Sequence, residues 1–164
     1  MKERERAFGD LIARNAPALG RLVRHYEASN AARRDLEQDI LVALWRSHEA
    51  FRGDCSERTW VYRIAHNVAA THVAKSLRTR RGDDAAAPQD SVGEPAPDDL
   101  AARRSELRRL EARIRALDLS SQQLVLLALE GCTSSEIAGI TGLSVTNVTT
   151  RLSRLRKHLA EDGR

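Results

Sequence analysis

The stretch GDDAAAPQDSVGEPAPDDL, residues 82–100, most constrains the fold. It holds three of the chain's four prolines and six acids, with no base. It has no apolar periodicity and too little apolar surface to order itself, so it reads as a flexible acidic linker. The other 145 of the 164 residues are thereby divided into two blocks, roughly 5–81 and 101–160. Each block must bury its own small core. The whole chain has net charge +4 and the linker −6, so the rest carries +10. Such a balance suits a polyanion partner, and the linker would be repelled by whatever the blocks bind.

Both blocks read as helical. Aromatics make up 4% of the chain, and Ala, Leu and Arg dominate, which favours helix over strand. In RRDLEQDILVALWRSHEAF, Leu36, Ile40, Leu41, Leu44 and Trp45 fall on one helical face. FRGDCSERT follows, with Gly53-Asp54 as a turn signal and Ser56 as an N-cap candidate. TWVYRIAHNVAATHVAKSLRTRR resumes the helical pattern, with Trp60, Ile64, Val68 and His72 at four-residue steps. In the second block, Leu107, Leu110, Ile114 and Leu117 form the stripe of one helix. A second runs through SSQQLVLLALEG, with Ser120 or Ser121 as its cap and Gly131 as its stop. The expected architecture is all-α: two small helical domains and a linker.

The last helix pair, SSEIAGITGLSVTNVTTRLSRLRK, carries most of the functional information. Ser134 or Ser135 can cap its first helix, Gly142 can make the left-handed turn, and Ser144 can cap its second. Val148, Leu152, Leu155 and Leu159 face inward. Ala138, Gly142 and Val148 then match a helix-turn-helix: a small crossing residue, a turn glycine and a buried aliphatic. The outward face offers Thr146, Asn147, Thr149, Thr150 and Ser153 as short hydrogen-bonding groups. Arg151, Arg154, Arg156 and Lys157 add cations, and residues 137–157 contain no acid. Short polar groups and Arg suit base edges and phosphates in a major groove. A merely solvated helix would mix in acids. The pattern alone leaves both DNA binding and a plain structural helix pair open.

Other chemistries find no support. There is no nucleophile–base–orienter set and no phosphate-binding glycine loop. Cys55 and Cys132 have no zinc spacing, so neither a metal, a cofactor nor a disulfide is expected. His25, His48, His66, His72 and His158 show no ligand spacing, and surface or core-edge packing is their default. The chain is not expected to be an enzyme. No apolar run is long enough to span a bilayer and MKERERAFGDLIARN lacks a signal-peptide core, so a cytoplasmic protein is expected.

Taken together, RRDLEQDILVALWR, FRGDCSERTWVYRIAHNVAATHVAKSLRTRR, a linker and LSSQQLVLLALEGCTSSEIAGITGLSVTNVTTRLSRLRKHL resemble a bacterial RNA polymerase sigma factor of the extracytoplasmic-function type. TWVYRIAHN is close to that family's T-W-L-Y-R-I-A-x-N, and the resemblance covers nearly the whole chain. It implies sigma domain two at 5–81 and sigma domain four at 101–160. Asp35, Leu36, Gln38, Asp39 and Leu41 would dock on the clamp of core polymerase's largest subunit. Phe51, Arg52, Arg58, Arg63, Asn67, Lys75 and Arg78, with Arg80 and Arg81, would take the melted minus-ten promoter strand. Residues 52–81 count seven bases against two acids, which suits that role. Trp60 is better read as core than as a base-stacking platform.

The second block would read the minus-thirty-five element as duplex. Thr149, Thr150, Ser153 and Arg154 would lie nearest the bases, with Ser144, Thr146, Asn147, Arg151 and Lys157 on the phosphates. That block would also pack on the flap of the second-largest subunit. An anti-sigma factor is a further implied partner, and membrane insertion is not. Glu57 stands where many members are apolar, Thr71 where Asp is common, and Thr149 where Lys or Arg is common. Glu57 sets an acid beside the proposed strand pocket. The main rival is a stand-alone helix-turn-helix transcriptional regulator with a helical dimerisation or sensor domain; a protein-binding helical adaptor is another.

Overall fold

The computed structural model describes residues 2–80 and 98–161. They form seven helices: α1 (Lys2–Tyr26), α2 (Asn30–His48), α3 (Glu57–Arg80), α4 (Asp98–Ala116), α5 (Leu119–Leu129), α6 (Ser134–Thr141) and α7 (Val145–Glu161). There is no strand among the described residues. The helices fall into two compact units, α1–α3 and α4–α7. Most of the expected linker, 82–97, lies outside the described residues, but its last three residues, 98–100, already belong to α4.

In the first unit α2 packs on α3, and α1 lies against both. On α2, Leu36, Ile40 and Leu44 at four-residue steps are 0%, 1% and 0% exposed. Leu41 and Trp45, expected on the same face, are half-buried at its edges. α3 departs from its expected stripe. Ile64, Val68 and His72 are only half-buried, whereas Val61, Tyr62, Ala65, His66 and Ala69 are buried. The reason is that α3 touches two helices, so it needs two buried faces, and a strict four-residue repeat traces only the margin of one. Small Ala65 and Ala69 at full burial allow a neighbouring helix to approach closely. His66, expected at the surface or a core edge, is inside, where its Nδ1 lies 3.2 Å from the Tyr26 hydroxyl. Burial pushes the Tyr26 phenol well above its usual range, so it stays neutral.

An ion pair ties α1 to the start of α3. Arg14 donates from Nε and Nη2 to the two carboxylate oxygens of Glu57, at 3.1 and 2.7 Å. Buried Asn15 adds a 3.4 Å bond to Glu57 and donates to the Leu11 carbonyl at 2.9 Å. The Arg14 hydrogen bond holds the Glu57 carboxyl below its ordinary value of 4.5. Ser56 caps α3 as expected, accepting from the Thr59 amide at 3.1 Å.

In the second unit the caps differ from those expected at two helices. α5 is capped by Asp118, whose carboxylate accepts from the Ser121 amide, and not by Ser120 or Ser121. α6 is capped by Thr133, and not by Ser134 or Ser135. Thr133 and Glu136 form a reciprocal box: the Thr133 hydroxyl accepts from the Glu136 amide, and the Glu136 carboxylate accepts from the Thr133 amide at 2.7 Å. A carboxylate is the stronger acceptor in both motifs, which decides between neighbouring candidates. Gly142 closes α6 in the left-handed region at φ 76°, and Ser144 caps α7 through the Asn147 amide. Gln122 of α5 donates to the Arg115 and Leu117 carbonyls, satisfying the end of α4.

The core holds Ile114, Leu124, Leu127, Ile137, Ile140, Val148 and Leu152, with Leu155 and Leu159 half-buried. Leu107, expected in the α4 stripe, is 56% exposed, and on α4 only Ile114 is fully covered. Cys55 and Cys132 are half-buried and form no disulfide. Among the described residues no His/Cys/Asp/Glu group is arranged to hold a metal, and no helix is long and apolar enough to cross a membrane.

Both tryptophans, Trp45 and Trp60, sit in the first unit, so their fluorescence reports its unfolding alone. Leu36→Ala should lower that unit's stability by about 2–5 kcal/mol in a denaturant titration. Glu57 is depressed, so its contribution is full above pH 4.5 and fades as pH falls through the lowered value. The stability difference between wild type and Glu57→Gln should therefore shrink below that pH. Thr133→Ala should cost the second unit about 1 kcal/mol, read as faster amide exchange in α6.

Candidate nucleic-acid and polymerase interfaces

The outward edges of α2 and α3 border one open groove in the first unit. Asp35, Asp39, Val42 and Arg46 line it from α2; Asn67, Thr71, His72 and Lys75 line it from α3. The pitch of an α-helix explains the grouping. Asp35, Asp39, Val42 and Arg46 fall within about 60° of one another around α2, away from Leu36, Ile40 and Leu44. Asp35 and Asp39 of the expected docking set thus share one depression with Asn67 and Lys75 of the expected minus-ten set.

The expected docking residues separate on inspection. Asp35, Gln38 and Asp39 are exposed, and Leu41 is half-buried. Leu36 is 0% exposed, so it cannot meet a partner, and its inclusion in the docking set is corrected: it supports the acids from beneath. Val42, 40% exposed, and Arg46 join the same face. Val42 was legible as an apolar residue standing three positions from Asp39 and off the core stripe.

His72 links the groove to the segment just after α1. Its Nε2 lies 3.3 Å from the Glu27 carboxylate, which is buried, and its Nδ1 lies 3.4 Å from that of exposed Asp39. Both ring nitrogens face acceptors, and only the protonated ring can donate to both. Sequence spacing gave no sign of this, because Asp39 is on α2, His72 on α3 and Glu27 in the segment between α1 and α2.

The expected minus-ten residues occupy more than one surface. Arg63, Asn67, Lys75 and Arg78 share about one third of the α3 circumference. Asn67, Lys75 and Arg78 are exposed, and Arg63 is half-buried. Arg58 lies on the opposite side of α3, with its guanidinium 5.2 Å from the Tyr62 ring centroid. It therefore does not join the Asn67 face. Phe51 and Arg52 sit in the loop before α3. Phe51 is half-buried with its ring 4.9 Å from that of buried Trp60, and Arg52 is exposed. Trp60 continues through His48 to Phe8 and Trp45, an aromatic run beneath the loop. Arg81 lies outside the described residues, as does the side chain of Arg80.

The second unit presents the outward face of α7. Thr146, Thr150, Ser153 and Lys157 lie about opposite the buried Val148 and Leu152, and all four are exposed. Ser144, Asn147, Thr149 and Arg154 are exposed beside them. Two residues are partly committed. Thr149 donates its hydroxyl to the Val145 carbonyl at 2.9 Å, which leaves its oxygen to act outward as an acceptor. Arg151 is half-buried and donates to the Ser121 hydroxyl at 3.3 Å; it also helps hold the Asp118 carboxyl below its usual range, after the Ser121 hydrogen bonds. It ties α7 to the start of α5 and stands at the margin of the exposed face.

Comparison with known proteins agrees with this architecture. Residues 11–79 match the Sigma-70 region 2 family, and residues 107–159 match Sigma-70, region 4. The RNA polymerase sigma factor CnrH of Cupriavidus metallidurans is 32% identical, over 95% of this chain and 86% of that protein. The ECF RNA polymerase sigma-E factor of Escherichia coli is 29% identical, over 93% of this chain and 84% of its own length. Among solved structures, CnrH in complex with the cytosolic domain of CnrY superposes with a TM-score of 0.69 at 30% identity, covering 96% of this chain and 87% of that one. The sigma factor RpoE of Bartonella quintana, in complex with the anti-sigma factor NepR, shares the fold with a TM-score of 0.73 at 21% identity, covering 94% and 95% of the two chains. The chain belongs to the sigma-70 family of RNA polymerase sigma factors, as a member of the extracytoplasmic-function type.

Proposed function

We propose that this chain binds core RNA polymerase, carries it to promoters and helps to open them, leaving the chemistry of RNA synthesis to the polymerase. The observation that carries this reading is the α2–α3 groove. It sets an exposed acidic edge suited to a protein partner beside a polar and basic edge suited to a nucleic-acid strand. A regulator that only grips duplex DNA has no use for that pairing. Asp35, Gln38 and Asp39, with Val42 beside them, dock on the clamp of the largest subunit. Asn67 offers one donor group and one acceptor to an unpaired minus-ten base, while Arg63, Lys75 and Arg78 hold the strand's backbone. The exposed α7 face reads the minus-thirty-five element, with Thr150, Ser153 and Arg154 toward the bases. The second unit also packs on the polymerase flap.

Two relatives were solved with CnrY and with an anti-sigma factor, which supports a protein antagonist of the same kind for this chain. Its place of action is the cytoplasm, with the polymerase.

Run-off transcription with core polymerase on genomic fragments tests the reading: new start sites should appear only when the chain is added. Binding to a palindromic duplex without polymerase would favour a stand-alone regulator instead. Asn67→Ala should slow open-complex formation by about tenfold while leaving core binding unchanged, as monitored by thymine reactivity and by co-elution. Arg154→Ala should weaken holoenzyme binding to minus-thirty-five duplex by about 1–3 kcal/mol and relax preference at one base pair, as read in a competition assay.

A further inference from the structure

We propose that Arg14, on α1, is a positioning residue for strand reading: through Glu57 it sets the conformation of the 51–56 loop. This rests on the proposed minus-ten role of the first unit.

The loop FRGDCS is held mainly at its ends. At its start Phe51 lies against Trp60, with ring centroids 4.9 Å apart. In its middle, Arg52, Gly53 and Asp54 are exposed, Gly53 has φ 79°, and the space where a Cβ would stand there is empty to 4 Å. At its end the chain enters α3 at Glu57, whose carboxylate is gripped by Arg14 at 3.1 and 2.7 Å and by Asn15 at 3.4 Å. Asn15 is itself 9% exposed and anchored to the Leu11 carbonyl, so the grip starts from a fixed point on α1. A bidentate guanidinium–carboxylate pair fixes orientation as well as distance. It also occupies both oxygens of an acid that would otherwise face an approaching phosphate backbone. The first turn of α3 is therefore clamped in place and its charge matched, and the loop between the two anchors has its path decided.

An exposed pair of this kind contributes little to stability, so its main effect falls on local geometry. The test uses holoenzyme reconstituted with core polymerase and promoters differing by single bases across the minus-ten element. Open complexes are counted by thymine reactivity. The variants are Arg14→Ala, Glu57→Gln, both together, and the exchanged pair Arg14→Glu with Glu57→Arg. Each single change should reduce discrimination among minus-ten bases by about threefold, the double no further, and the exchange should restore most of it. Equal slowing on every promoter would show a structural role only and overturn the proposal. So would effects that multiply in the double variant, or an exchange that recovers nothing. Tryptophan fluorescence confirms folding, and Glu57→Gln, equal in shape to the native residue, keeps the test open if Arg14→Ala unfolds. A wild-type holoenzyme without any minus-ten preference would refute the strand-reading role itself, an outcome distinct from loss of the clamp.

Discussion

Packing of α2 on α3 is the contact on which the first unit depends. Leu36, Ile40 and Leu44 on one helix and Val61, Ala65 and Ala69 on the other are lost from solvent almost completely. Side chains in such an interior interlock, so the two helices move as one body. Everything on their outer edges inherits that rigidity. Asp35 and Asp39 cannot shift relative to Asn67 and Lys75 without opening the core beneath them. A partner seated on the acids and a strand seated on α3 would therefore feel each other through a fixed spacing. His72, between the Glu27 and Asp39 carboxylates, adds a polar tie from α3 to α2 and to the segment that follows α1.

The second unit solves a different problem with smaller means. Two of its helices are short, α5 having eleven residues and α6 eight, so caps and turns matter more there than length. Asp118, Thr133 with Glu136, Gly142 and Ser144 set where each helix begins or ends. Once these junctions are made, Val148 and Leu152 have one place to go, and the opposite face of α7 is left for other work. Arg151 shows the limit of that division, since it serves the α5 junction through Ser121 while bordering the exposed face.

Several features were legible because they depend on residues close in sequence. Ser56 and Ser144 cap the helices expected of them, and Gly142 turns left-handed where two helical patterns meet. The T-x-x-E of Thr133 and Glu136 is equally present in the chain, beside serines that offer the same hydroxyl without the matching acid. Competition among adjacent hydroxyls is resolved by which of them has a carboxylate three residues on. The acid-free face of α7 needed only helical periodicity to be seen.

Other features needed the fold. Leu36 looked like the apolar border of an acidic docking face and is buried in the core. Arg58 looked like one more phosphate contact and is turned to the far side of α3. Glu57 looked like an acid opposing the strand and is held by Arg14. From sequence alone came two helical units, a basic balance outside the linker and a helix suited to DNA, since these follow from composition and a 3.6-residue period. Tertiary structure alone decided which side chains on those helices remain free, because burial and ion pairing join residues that are 40 or more positions apart, as Arg14 and Glu57 are. No local pattern encodes a distance of that kind.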